Sequence, residues 1–255
     1  MEQIQNLIPP IPDAAPSYDD LLSMQTDAYN AASGSLTGFQ CDLCRNKGMV
    51  AGIRDGEMYM SECRCMKTRR TLRCIRESGL EEQLRECKFS SFETTEPWQQ
   101  KMKSAAMAFV QNDALGFFIS GQSGSGKTHI CTAIVGSMIK RGLSARYFVW
   151  REDSTILKAL INDPEYTDLM QTYKKTDCLY IDDLFEGGAT DADKKLAFEL
   201  IDYRYRNRLK TIISTELTES VLIKEDEALT GRILQMSRGF RMEIPKDPSK
   251  NYRLR

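Results

Sequence analysis

The chain has 255 residues, 41% of them hydrophobic and 28% charged, a balance that suits one soluble α/β domain of ordinary size plus a smaller module. Its formal net charge of −1 excludes nucleic-acid binding driven by overall charge, so any such contact has to come from local basic clusters. The opening Met1-Glu2-Gln3-Ile4-Gln5 lacks the basic stretch and apolar core of a secretory signal, and nothing in the chain suggests a membrane span, which together predict a cytoplasmic protein in a reducing compartment. Its eight cysteines then need a role other than disulfides.

In chain order, residues 1–36 hold Pro9, Pro10, Pro12 and Pro16 and then a weak helical pattern through Leu21, Leu22, Met24 and Tyr29. That pattern is too short to bury a core alone and reads as a docking arm. Residues 37–75 form a cysteine-rich module: Cys41-Asp42-Leu43-Cys44 and Cys63-Arg64-Cys65 flank an 18-residue connection containing Gly48, Gly52 and Gly56. Two short thiol pairs joined by a turn-rich hairpin are a zinc-ribbon-like arrangement, in which zinc held by Cys41, Cys44, Cys63 and Cys65 supplies folding energy that a small core cannot. Cys74 is an alternate fourth ligand, and free, reduced cysteines are the other reading; the only histidine, His129, lies elsewhere. The basic run Lys67, Arg69, Arg70, Arg73 and Arg76 is either a solvated helix face or a surface for nucleic acid or protein. Residues 76–95 read as a linker, after which Trp98 to Val110 carries a helix and 96–255 the larger domain.

Gly121-Gln122-Ser123-Gly124-Ser125-Gly126-Lys127-Thr128 matches the phosphate-binding G-x-x-x-x-G-K-[ST] pattern, with an apolar strand before it and helix-period residues Ile130, Ile134 and Met138 after it. Backbone N–H groups of this loop would cradle the phosphates of ATP, Lys127 would reach the β and γ phosphates, and Thr128 would hold Mg²⁺. Further apolar runs at Ala145–Trp150, Cys178–Ile181, Thr211–Ser214 and Phe240–Ile244 alternate with helical segments, which predicts a five-stranded parallel sheet covered on both faces.

The strand Cys178-Leu179-Tyr180-Ile181 ends in Asp182-Asp183, where a parallel sheet of this kind presents acids beside the phosphate loop. Asp182 would act on Mg²⁺ through water, and Asp183 would orient and deprotonate the attacking water, a position at which many ATPases of the AAA+ type carry Glu. Thr215 or Ser214, at the end of the next strand, is placed to sense the γ-phosphate, with Glu216 where a polar residue such as Asn is frequent. Gly231-Arg232 opens the last helical segment, and Arg232 is either a finger aimed at a neighbouring subunit's nucleotide or an ordinary surface arginine. The 23 residues after Arg232 suffice for a strand and a tail, with no room for a helical lid.

The order of these features, with Ser78-Gly79-Leu80, Phe89-x-x-Phe92, Ile181-Asp182-Asp183-Leu184, Thr211 to Leu217 and Gly231-Arg232-Ile233, resembles the DnaC/DnaI-type helicase loaders of bacteria and their phages over roughly residues 38–244. The resemblance implies an AAA+ ATPase that grips a hexameric replicative helicase through its amino-terminal part, assembles in an ATP-dependent oligomer and places the helicase on single-stranded DNA. It also assigns a strand-holding role to Arg151–Lys175, including Lys158, Lys174 and Lys175. In cellular relatives a second arginine often follows the finger by four residues; position 236 is Met, with Arg238 nearby. Two alternatives share the core: an IstB-like ATPase assisting a transposase, and a phage protein that captures the host helicase with little turnover.

Overall fold

Asp55 and Gly56 both adopt positive φ, 54° and 77°, the twist that a two-residue hairpin turn requires. They join β1 (Met49–Arg54) to β2 (Glu57–Glu62) in antiparallel register, Met49 opposite Glu62 and Arg54 opposite Glu57. The computed structural model describes residues 16–38, 40–77 and 81–254, and the chain divides into two units between Arg69 and Arg70.

In the first unit α1 (Tyr18–Ala31) begins at a capping box made by Ser17 and Asp20 and buries only Leu22 and Thr26. Polar clamps make up for so narrow an apolar stripe. The Asn30 amide donates to the Ala51 carbonyl and accepts from the Ala51 N–H, both at 3.0 Å, and the Lys47 ammonium donates to the carbonyls of Tyr29, Asn30 and Ala32, where the helix dipole favours a cation. The helical part of the expected arm is therefore built into the cysteine unit. Residues 1–15, with Pro9, Pro10 and Pro12, lie outside the described residues, as does Ser78-Gly79-Leu80.

Helix α2 (Cys65–Glu77) crosses the division, and α3 (Glu81–Glu86) and α4 (Pro97–Gln111) follow. The boundary expected within 76–95 falls earlier because Leu84, Phe89 and Phe92 join the hydrophobic core of the second unit. That unit continues through β3 (Gly116–Gly121), α5 (Lys127–Lys140), β4 (Ala145–Val149), α6 (Trp150–Ala159), α7 (Pro164–Lys175), β5 (Cys178–Asp182), α8 (Asp191–Arg206), β6 (Lys210–Thr215), α9 (Glu219–Glu225), α10 (Glu227–Met236) and β7 (Arg241–Ile244).

The five strands β3 to β7 form one parallel sheet in the order β4-β5-β6-β3-β7, with the edge strand β7 half polar, as its Arg-Met-Glu-Ile sequence allows at an edge. Alternation along each strand separates two cores. Phe117, Ile119, Tyr147, Tyr180 and Ile212 pack with α4 and α5, whereas Phe118, Phe148, Leu179, Ile181 and Ile213 pack with α6, α7, α8 and α10. Register aligns Ser120 with Thr215 and Val149 with Asp182, so the phosphate loop and the acids emerge together at the carboxyl ends of the strands, where sheets of this class bind ligands. Among the described residues no helix is long and apolar enough to cross a membrane.

Candidate functional site

Gly121, Gly124 and Gly126 take φ of 99°, 67° and 87°, a left-handed path that curls the loop between β3 and α5. Gly126 caps α5 without a side chain, leaving the first-turn N–H groups to an anion at the positive end of the helix. The Lys127 ammonium is held over this loop by the Gly121 and Gln122 carbonyls at 3.0 and 2.8 Å. Burial lowers its pKa, against the opposing pull of Asp183, Glu216 and Asp182. Ser125 is buried and donates to the Gln122 carbonyl at 2.8 Å, while the Gln122 amide donates to the Ser123 carbonyl at 3.0 Å, so the loop's conformation is fixed by its own polar groups.

Asp182 sits in a cage of hydroxyls. Tyr147 and Ser214 donate to it, Tyr180 donates at 2.5 Å, and Thr128 of the phosphate loop donates at 3.3 Å. This joins β4, β5 and β6 to the start of α5 and holds the carboxylate beside the threonine with which it would share Mg²⁺. Asp183 is different: it has a positive φ of 51°, its N–H donates to Ser214 Oγ at 3.1 Å, and its carboxyl faces the pocket. Burial, with the adjacent Asp182 charge, pushes its pKa up to about 6 despite Lys127.

Residues 124–128 of the loop and Asp183 line a cleft of about 360 Å³, within the range of small-ligand sites, together with Phe92, Glu93, Gln99, His129, Glu216, Tyr252 and Arg253; Asp182 lies behind it. Of these seven, sequence reasoning places only Glu216 near the nucleotide, beside the sensor position. His129 follows the loop directly, and its ring stands edge-on to Phe92 at 5.3 Å, which is the one sequence-visible hint, since Phe92 belongs to the Phe89-x-x-Phe92 pair.

The geometry revises the sensor assignment and places the other predicted residues as follows. Thr215 is fully buried, donating to the Leu184 carbonyl at 2.8 Å and accepting the Leu217 N–H at 3.1 Å, so its hydroxyl does not reach the cleft; Ser214 faces Asp182, and Glu216 lines the cleft. Lys158 and Lys174, expected to hold single-stranded DNA, are paired with Asp193 at 2.6 Å and Glu199 at 2.7 Å. Arg204 of α8 is completely buried and satisfies backbone carbonyls. Arg232 on α10 lies apart from the cleft: it donates to Asp202 at 2.5 Å and to the Ala228 carbonyl at 2.9 Å, and stacks over Phe198 at 4.5 Å.

In the first unit, the Sγ atoms of Cys41, Cys44, Cys63 and Cys65 lie within 4.8 Å of one another, a set able to hold a metal ion. Cys41 and Cys63 are 3.7 Å apart and Cys44 and Cys65 3.5 Å, far longer than a disulfide. Positive φ at Arg45 and Asn46 turns the chain so that the Gly48 N–H donates to Cys44 Sγ at 3.4 Å. Burial opposes ionisation of Cys44, but that N–H and the neighbouring thiols outweigh it and bring its pKa down to about 6. The side chain of Cys74 lies outside the described residues. Arg69, from the basic run, braces this module by donating to the Thr37 carbonyl and to Asn46 Oδ1, each at 2.7 Å.

Residues 55–238 match the family described as IstB-like ATP binding protein, a span from the hairpin turn to the end of the last helix. The chain belongs to this family. It is an AAA+ ATPase of the IstB/DnaC type, and the phosphate loop and paired acids lie inside the matched region. Its sequence is 31% identical to the uncharacterized protein YqaM of Bacillus subtilis over 78% of this chain and 68% of that protein, and 29% identical to the phage-like element PBSX protein XkdC of the same organism over 82% and 84%. The replicative helicase loader DnaC of Buchnera aphidicola is 24% identical over 63% of this chain and 66% of its own. Among solved structures, a DnaC helicase loader superposes with a TM-score of 0.57 at 22% identity, covering 63% of this chain and 97% of that one, which shows a shared fold.

Proposed function

We propose that this ATPase loads a hexameric replicative helicase onto single-stranded DNA. The observation that carries the reading is a four-thiol module ahead of an IstB/DnaC-type core in a chain related to a replicative helicase loader. ATP would lie on residues 121–128, with Lys127 on the β and γ phosphates, Thr128 and Asp182 on Mg²⁺, and Asp183 as the base toward the attacking water. The chemistry that Mg²⁺ brings is neutralisation of charge on the β and γ phosphates; the hydroxyl cage keeps Asp182 aimed at its position.

Zinc suits the cysteine cluster. A Zn–S length of about 2.3 Å gives tetrahedral edges of about 3.8 Å, close to the observed 3.5 and 3.7 Å, and the fourth ligand would be Cys65. Single-stranded DNA would be met by exposed Lys175 and by Arg151, whose side chain is 76% exposed and lies 4.0 Å from Glu186, whereas Lys158 and Lys174 are held by acids at 2.6 and 2.7 Å. Subunits would share active sites through Arg232.

The family match favours one other reading, an ATPase that delivers a transposase. Affinity capture from a bacterial lysate with the bound proteins identified, followed by helicase loading on protein-coated single-stranded circles, separates the two. Recovery of a hexameric helicase and ATP-dependent unwinding are expected; recovery of a transposase with no effect on unwinding refutes the loader reading.

A further inference from the structure

Downstream of β7 the chain stays at the nucleotide cleft. Ile244 pairs with Gly121, and its carbonyl accepts the Gln122 N–H at 3.0 Å. The following residues then turn back over the phosphate loop: the Asp247 N–H donates to Gln122 Oε1 at 2.8 Å, the Tyr252 N–H donates to the Gly124 carbonyl at 2.9 Å, and the Gln99 amide of α4 donates to the Tyr252 hydroxyl. Asp247 also caps the 3-10 turn Pro248–Lys250 by accepting the Ser249 N–H at 3.0 Å, which directs the chain toward the loop.

Gly124 lies directly under this contact. It occupies a position that the G-x-x-x-x-G-K-[ST] pattern leaves open, yet here it has φ of 67° and a Cβ on it would lie 1.9 Å from Asn251 Oδ1. The left-handed φ is what favours glycine at this position, and the Asn251 side chain packs into the space that its missing Cβ leaves. The result is that Tyr252 and Arg253 line the cleft beside Lys127.

Charge gives this a consequence. Arg253 and Lys127 are the two basic side chains, apart from His129, among the described residues lining the cleft, and they share it with Glu93, Asp183 and Glu216. A nucleoside polyphosphate adds further negative charge, and a long, exposed guanidinium at the mouth is suited to bind a phosphate oxygen bidentately. We propose that Asp247–Leu254 is a nucleotide-binding strap in which Arg253 holds a phosphate of the bound nucleotide and the Tyr252 ring packs on its nucleoside. The proposal rests on ATP binding at the phosphate loop.

The test is equilibrium binding of Mg²⁺-ATP and ADP to the full chain, read with a fluorescent analogue and by calorimetry. Loss of one charge-assisted contact in Arg253→Ala weakens binding about tenfold. Tyr252→Ala does likewise, whereas Tyr252→Phe, which keeps ring and backbone, stays within about twofold of the parent. Nucleotide also slows amide exchange over residues 250–254. Parental affinity in both Arg253→Ala and Tyr252→Ala, or exchange in the tail unchanged by nucleotide, overturns the strap. Should Tyr252→Ala lower the melting temperature of the free protein, Arg253→Ala decides, because that side chain is exposed. Lys127→Ala reports on the underlying reading: undiminished ATP binding there removes the nucleotide site itself, independently of the tail.

Discussion

Asp182 and Asp183 are neighbours in sequence with unlike surroundings. Four hydroxyls hold Asp182, whereas Asp183 is pushed by burial and by the adjacent charge to about 6. If Asp183 is the base, hydrolysis falls as pH is lowered through about 6, a profile that single-turnover rates at saturating ATP report. Asp183→Asn should retain ATP binding and lose turnover; persistent hydrolysis would move the base elsewhere. The same shift has a signature in folding. The folded pKa lies above the usual 3.8, so the unfolded state holds fewer protons between the two values, and stability contributed by the protonated form is complete below 3.8 and lost as pH rises through about 6. Asp183→Asn therefore raises the melting temperature of the nucleotide-free protein at pH 7.5 and leaves it unchanged near pH 3.5, if the fold persists there.

Elements in this protein are joined by polar groups at their ends. Arg204 of α8 donates to the carbonyls of Tyr173, Lys174 and Thr176 at the carboxyl end of α7, to the Lys210 carbonyl and to Thr211 Oγ1 in β6. The negative end of the α7 dipole and these oxygens stand in for a carboxylate partner. Burial nevertheless lowers its pKa to about 10. Arg204→Ala leaves a cavity and four orphaned carbonyls, a loss of about 4 kcal/mol by urea denaturation. In the first unit the hairpin and α1 have few apolar contacts, so the thiol cluster has to supply order. Cys63→Ser is expected to abolish bound zinc, measured by metal analysis, and to remove exchange protection from the β1 and β2 amides. Zinc-free parental protein purified reduced and without chelator would refute the metal assignment. Retention of zinc in Cys65→Ser together with its loss in Cys74→Ser would transfer the fourth ligand to Cys74.

At the scale of the molecule, the cleft holds a phosphate loop, Asp183 and a tail, while Arg232 stands elsewhere, paired with Asp202. A finger acting between subunits has to leave that pair when a neighbour docks. Mixing Arg232→Ala with Lys127→Ala protein tests it, because mixed assemblies contain interfaces that join an intact loop to an intact arginine. Partial recovery of hydrolysis is expected, and parental activity in Arg232→Ala alone would leave the residue as a surface arginine held by Asp202.

The sheet and its phosphate site were legible because their signals are local. Five apolar runs of strand length, a fixed glycine spacing and two acids at a strand end each carry their meaning within a few residues, and the parallel order follows from alternation with helices. The thiol pairs were legible for the same reason. What the sequence left open depends on groups far apart in the chain. Which of Thr215 and Ser214 is turned away from the site is decided by a buried bond from Thr215 to Leu184, and the partners of Lys158 and Lys174 are acids on α8. The weak helix before the cysteines acquired its place through Asn30 and Lys47, clamps that no periodicity encodes. Gly124 sums up the division: its glycine suits the local left-handed turn, but that Asn251, 127 residues further on, packs its side chain against it is decided only by folding.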